Sequence, residues 1–522
     1  MKSAITKYYP FLPLLLLCCF YGYKAIAFPI HDFANYYFGG KFLSEGHFNS
    51  NIYFPYEFNK AIFDSGHPGI FASYAPNMPF LAVFFLAFSI FSLAAAKLIF
   101  NGISVVLFIF SIYRLFNYYK IDWRYALLIP VLFLVPIKNN LLFGQVYFLL
   151  FFLLAEGWLA YENERWKSMS FFWSLAILLK VFPVLLIALL LFRKQWKALC
   201  YLALTGVLLF GISLFFTGIE IWLFYLKEVL PKASNGEIAT AFVPNYQSVF
   251  MFLKQCFVHE NIENPHPFFQ DESCFLGLVF AFKVGILTLG YFISKKTSHS
   301  LFIFSYWILA MILLSPYGST YTFILLLFAF LALLKSEISN VKKMFCCLIL
   351  FLVSNIQLSF FIDAAFPFSY LRLFLLIVFF VGFTIFIFQK SVWLKAIVIV
   401  FFAFYIGTFF EQKKLQRNEL FLPKGSPILI YDYQIENNQL TYFYWNEKGE
   451  NKTTIPLQNH FLKPLEIRKT QVFNDYRQRT SDNSHKLKPM LIDGKTIIYL
   501  SDYDRGIGFY TLRKIKLPKS EN

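Results

Sequence analysis

The chain has 522 residues, of which 58% are hydrophobic and 15% charged. A soluble domain carries about 25% charged residues, and here the deficit takes the form of uncharged apolar runs of about 17 to 25 residues, the length that crosses hydrocarbon. The formal net charge of +17 does not mark a nucleic-acid binder. Much of it sits in short loops, at Arg193, Lys194 and Lys197, at Lys295 and Lys296, and at Lys342 and Lys343, where positive residues fix orientation. The remainder lacks the clustered basic and aromatic face of nucleic-acid proteins.

The first apolar run, Phe11 to Phe28, follows Lys2 and Lys7 as a signal peptide would. It is long for one, contains Pro13, and no small-x-small cleavage site follows, so it reads as a retained first span with a cytoplasmic N-terminus. Further spans are predicted at 78–96, 98–116, 125–138, 141–160, 170–191, 198–217, 274–294, 300–315, 320–335, 344–360, 370–388 and 391–410. Backbone polar groups in lipid must be satisfied within the segment, so these are predicted helices. With the first span at 9–28 the count is about thirteen, which delivers the chain outside at residue 411. The basic loops 193–197, 295–299 and 335–343 then all face the cytoplasm. Span 125–138 is short and holds Pro130 and Pro136, while Lys180 interrupts 170–191. Both suit broken or re-entrant helices shielded by protein or by a water-filled cavity.

Two outer loops, 29–77 and 218–273, are too long to be simple connectors. Their aromatic residues, among them Tyr36, Tyr37, Tyr53, Trp222 and Tyr225, predict order, as helices on the membrane surface. Beyond residue 411 the period changes. Residues 427–434 and 439–445 alternate apolar with polar about "ENN", a hairpin signal, and 495–517 reads as two strands about a turn at Asp504 to Gly508. The expected organisation is an all-α polytopic membrane domain over 1–411 and a small β-rich extracytoplasmic domain over 412–522.

Asp32, just past the outer end of the first span, can be a general base, a cation ligand or a helix cap. Lys180 lies within "AILLKVFP"; a cation at mid-membrane costs about 3 kcal/mol on insertion scales, so it is a functional candidate by default, with snorkelling to an interface as the alternative. Arg372, at the outer start of its span, is a candidate phosphate partner or an interfacial anchor. Tyr36, Gln145, Asn245 and Gln247 offer hydrogen bonds suited to sugar hydroxyls. Cys256 and Cys274 fall in or beside one polar loop, and an oxidising compartment would allow a disulfide between them. There is no nucleotide-binding glycine loop, no D-x-D pair in the first long loop and no H-E-x-x-H, so neither a cofactor nor a metal is expected.

Five segments, "HDFANYYFGGKFLSEG", "YAPNMPF", "FGQVYFLLFFLLAEG", "LLKVFPVLLIALLLFRKQWKA" and "VPNYQSVFMFL", occur in an order that resembles glycosyltransferase family 87. The resemblance covers roughly residues 1–335. It implies a GT-C membrane fold in a bacterial cytoplasmic membrane and inverting transfer of mannose from a polyprenyl-phosphate sugar to a lipid or glycan acceptor on the outer face. The family's general-base aspartate in the first outer loop matches Asp32. Support for the leaving phosphate then falls to Lys180, with Arg372 second. Many relatives carry a histidine segment at the outer end of a later span; here "SPYGSTYT" puts Tyr321 or Thr322 in that region.

Two other functions fit a polytopic protein of this kind. A lipid-linked-saccharide flippase would show inverted repeats and paired interrupted helices, and no repeat is evident. A surface-polysaccharide polymerase or ligase would differ in using a diphosphate-linked donor.

Overall fold

The computed structural model describes residues 9–237, 246–260, 264–295, 300–387, 391–409, 419–423, 426–427, 429–446, 448–457, 461–482 and 484–517. Among the described residues, five helices are long and apolar enough to cross a bilayer: Tyr9–Ala27, Leu93–Tyr119, Trp196–Thr217, Glu272–Ser294 and Phe368–Ile385. Trp123–Leu132 and Leu134–Phe143 make a sixth if taken as one span bent by 67°. Several apolar helices of this length make the chain a multi-pass membrane protein.

Thirteen full-length crossings are not found among the described residues. Other predicted spans fold as shorter apolar helices, including Pro79–Phe88, Trp166–Leu179, Phe182–Phe192, Ser300–Leu314 and Thr320–Lys335. The reason is visible at Ser300–Leu314, whose 15 residues extend about 22 Å against about 30 Å of hydrocarbon. Every residue from Leu301 to Leu313 is buried, so the all-round apolar composition serves protein packing. Trp158 stacks on Phe304 and Phe151 on Phe328, each at 4.4 Å, which joins Tyr147–Glu162 to the two inner helices. Arg114 and Glu156 pair at 2.6 Å and tie Leu93–Tyr119 to the same centre.

The interruptions expected from proline and lysine are present. The bent pair turns at Phe133, between Pro130 and Pro136. Trp166–Leu179 ends at Lys180, which is extended (φ −146°, ψ 131°), and Pro183 opens the next turn, as proline favours at a helix start.

The first long loop forms helices Asp32–Ser44 and Pro55–Asp64. The first of these does not lie on a surface: Phe33, Ala34, Tyr36, Tyr37, Phe38 and Phe42 are buried, because aromatic residues occupy all its faces rather than one stripe. The second loop supplies the helix Val249–Phe257. Cys256 is buried and Cys274 partly exposed, and both are free thiols, so the anticipated disulfide is not formed. They belong to different helices, and the loop between them closes through backbone hydrogen bonds instead, Glu260 with Asn264 and Phe269 N–H to the Cys256 carbonyl.

The C-terminal region is built of β1 (Glu419–Leu420), β2 (Ile430–Glu436), β3 (Gln439–Asn446), β4 (Gly449–Pro456), β5 (Leu462–Pro464), β6 (Glu466–Arg468), β7 (Gln471–Asn474), β8 (Arg477–Gln478), β9 (Lys486–Ile492), β10 (Thr496–Ser501) and β11 (Thr511–Lys516). They form an antiparallel sheet in the order β1-β11-β10-β9-β5 and two three-stranded sheets, β2-β3-β4 and β6-β7-β8. The "ENN" turn between β2 and β3 has positive φ at both Asn437 and Asn438, the geometry of a type I′ hairpin. This region packs against the first long loop: Tyr56 stacks on Tyr431 at 3.9 Å, and Phe63 meets the Trp445 ring edge-on at 5.9 Å.

Candidate active site

Asp32, Tyr36, Gln145 and Lys180 line one cavity of about 580 Å³ between the helices, the long loops and the β region. Asp32 opens the helix Asp32–Ser44, preceded by His31, and no side chain caps that helix. The cap role open to Asp32 in the sequence is therefore not the one it takes. Its carboxylate Oδ2 instead accepts from Gln145 Nε2 at 2.6 Å.

Local chemistry fixes that contact. Leu134–Phe143 ends on Gly144, which is left-handed with φ 66°. The Gly144 and Gln145 N–H groups return to the Leu141 and Asn140 carbonyls, a glycine-dependent helix stop. A Cβ on Gly144 would lie 2.9 Å from Phe33, so glycine also lets Gln145 approach the helix that carries Asp32. A carboxylate only accepts, so the Gln145 amide must turn its NH₂ to Asp32 and its carbonyl away. The Tyr36 hydroxyl donates to that carbonyl at 2.7 Å. Asp32 Oδ1 accepts no hydrogen bond from the described residues, and Asp32 lines the cavity.

Lys180 stands at its helix break. Its Nζ donates to Asn77 Oδ1 at 3.2 Å and lies 5.5 Å from the Tyr36 ring and 5.9 Å from the Tyr147 ring, a cation held against aromatic faces. Burial raises the Asp32 pKa above the ordinary carboxylate value, and the Gln145 hydrogen bond and the charges of Lys180 and His31 offset part of that rise. The result is a carboxylate more basic than a solvated one and still next to a cation.

Other expected site residues are placed elsewhere. Arg372 is buried, donating from Nη1 to Thr320 Oγ1 at 2.8 Å and from Nη2 to the Ile356 carbonyl, with its guanidinium 4.6 Å from the Phe361 ring. It joins three segments and does not line the cavity, so it is not positioned as a phosphate ligand there. Gln247 is also buried away from the cavity, and its amide donates to the Ser369 carbonyl at 2.8 Å. Asn245 lies outside the described residues.

The cavity includes groups that sequence reasoning passed over: Asn77, Tyr147, Tyr246, Lys232, Glu237 and Lys283. Lys283 carried a usable signal, as a lone lysine within the apolar span Glu272–Ser294, by the same rule that singled out Lys180. Tyr321 and Thr322, noted in the region where relatives carry histidine, both line the wall, and the Tyr321 ring meets Tyr147 at 5.1 Å. Among the described residues, no group of three or more His, Cys, Asp or Glu converges as a metal-ligand set.

Residues 77–316 match the sequence model of glycosyltransferase family 87. No curated protein matches the chain. The matched span holds Asn77, Gln145, Lys180, Lys232 and Lys283, whereas Asp32 precedes it and the β region follows it. Residues 77–316, a little under half of the chain, thus carry the sequence pattern of glycosyltransferase family 87, and that similarity indicates a membrane glycosyltransferase.

Proposed function

We propose that the protein transfers a hexose, with mannose the first to test, from a polyprenyl-phosphate sugar to a lipid or glycan acceptor, inverting the anomeric centre. The observation that carries this reading is the Asp32 carboxylate, fixed through Gln145 by Tyr36 at the wall of a cavity that also presents Lys180. The acceptor O–H gives its proton to Asp32 as its oxygen bonds to the anomeric carbon. The bond from that carbon to the phosphate oxygen breaks with its electron pair, releasing polyprenyl phosphate. A base of raised pKa captures the proton better than an ordinary carboxylate. The departing phosphate monoester needs charge neutralisation rather than protonation, and Lys180 supplies a cation beside the reacting centre.

The cavity suits such a donor in kind. Leu185, Met311 and Ile312 give apolar wall for a prenyl chain, and Tyr36, Tyr147, Tyr246 and Tyr321 give ring faces and hydroxyls for sugar. Tyr321 and Thr322, in place of histidine, are the residues by which the donor sugar would differ from that of relatives. On this reading, the cavity, the long loops and the β region face the extracytoplasmic side of a bacterial cytoplasmic membrane. The purified protein, given radiolabelled polyprenyl-phosphate mannose and a native lipid extract, should form a glycosylated product of anomeric configuration opposite to the donor. A product of retained configuration contradicts the one-step mechanism. Absence of transfer from every polyprenyl-phosphate hexose contradicts the donor class.

A further inference from the structure

The β10–β11 turn reaches the same cavity as Asp32: Gly506, Ile507 and Phe509 are part of its wall. Ile507 is 2% exposed and belongs to the hydrophobic core of the helical region rather than to that of the sheets. Phe509 packs with Leu429 and Trp445 of the β region, and Phe71 of the first long loop packs against that group. Phe71 thus packs against the group that contains Phe509, and both residues line the cavity.

The turn is held by charge as well as by packing. Lys232 Nζ donates to the Asp502 carbonyl at 3.1 Å, to Asp502 Oδ1 at 3.2 Å and to the Arg505 carbonyl at 3.0 Å. Lys254 donates to Asp504 Oδ1 at 2.8 Å. Asp502 Oδ2 in turn meets His485 Nδ1 at 2.9 Å and accepts from the Gly508 N–H at 3.0 Å. Gly508 has φ 72°, and a Cβ there would lie 2.9 Å from Phe54. Burying charges is unfavourable unless each is paired and hydrogen-bonded, so this network fixes one position of the turn rather than merely tethering the strands.

The geometry of an inverting displacement divides the cavity. The incoming hydroxyl and the leaving phosphate occupy opposite faces of the anomeric carbon. Lys180, at the helix break, and Lys283, on Glu272–Ser294, are assigned to the phosphate side, since the third cation of the wall, Lys232, is engaged by Asp502 and Arg505; the loop and β-region wall is then left for the acceptor. Aromatic ring faces carry partial negative charge, and the C–H faces of a pyranose carry partial positive charge, so Phe71 and Phe509 suit a sugar ring.

We propose that the turn 502–509 is one wall of the acceptor subsite, and that the β region, which lies outside the family match, selects a saccharide acceptor through Phe509 together with Phe71. This inference rests on the transfer reaction proposed above. The test uses the full chain in nanodiscs, with polyprenyl-phosphate mannose as donor and a panel of octyl glycosides as acceptors. Phe509→Leu and Phe71→Leu should each raise the acceptor KM about tenfold with donor KM unchanged, the signature of lost acceptor binding. Asp504→Asn removes one lysine clamp without altering the cavity lining, so it remains informative if Phe509→Leu fails to insert, and it should raise acceptor KM in the same sense. Unchanged acceptor KM in the variants that insert, or equal changes in donor and acceptor KM, overturns the role of the turn alone. A wild-type protein that glycosylates a native lipid extract but none of the octyl glycosides overturns the saccharide class of acceptor. A wild-type protein without transfer to any acceptor overturns this inference and the reaction beneath it together.

Discussion

Gln145 donates to Asp32 at 2.6 Å while accepting from Tyr36 at 2.7 Å, so a neutral amide fixes the direction in which the carboxylate presents its other oxygen. Replacing Gln145 with Leu removes the hydrogen bond that favours ionised Asp32 and frees its orientation. We expect kcat to fall about tenfold to a hundredfold and the acid limb of the kcat/KM profile to move to higher pH, because a lost bond to the charged form raises a carboxyl pKa. Tyr36→Phe should have the same sense and a smaller size. Steady-state rates over pH measure both.

The wild-type acid limb should itself lie above about 3.9, the ordinary aspartate value, because burial raises the Asp32 pKa. A base works only when ionised, so activity is lost as pH falls through that raised value. A limb at or below the solvated value would show that Asp32 is not the group being titrated.

Lys180→Met should weaken donor binding and slow the chemical step, with Lys180→Arg recovering part of both. Removal of a neighbouring positive charge also raises the Asp32 pKa further, so the Met variant should show an acid limb at higher pH. Donor KM, kcat and the pH profile separate this from a purely structural role, which would change thermal stability and leave the limb in place.

The two cations also show what the sequence could and could not convey. Lys180 and Arg372 both read as charges in apolar surroundings, and hydropathy treats them alike. Their difference lies in tertiary partners: Arg372 finds Thr320 and the Ile356 carbonyl, while Lys180 faces the cavity at a break made by Pro183. The "ENN" hairpin, the final strand pair and the interrupted helices were legible because turn residues and proline act locally. Ser300–Leu314 was not distinguishable from a crossing, because a buried inner helix and a lipid-facing one have the same composition. The contribution of Gly506, Ile507 and Phe509 depends on contacts with residues more than two hundred positions away, and no local period encodes that.

Asp502 ties the β region to the second long loop. Burial alone would raise its pKa, but the His485 hydrogen bond, the Lys232 charge and the Gly508 N–H outweigh it, and the carboxyl is held below its usual range. A depressed carboxyl stabilises the fold above its unfolded value of about 3.9, and that stability is lost as pH falls through the lower folded value. Asp502→Asn should cost on the order of 3 kcal/mol at neutral pH, since it leaves Lys232 short of a buried partner. It should also flatten the acid-side decline in Tm, which thermal melts at several pH values will show.

The most direct measurement is turnover and thermal stability of Asp32→Asn in one preparation. Because the folded pKa of Asp32 is raised, its contribution to stability is present below the unfolded value and lost as pH rises through the folded one, so the ionised group stabilises nothing at neutral pH. The account predicts a loss of about 100-fold to 10,000-fold in kcat with Tm unchanged or higher. Full turnover in a folded, inserted Asp32→Asn protein would contradict it.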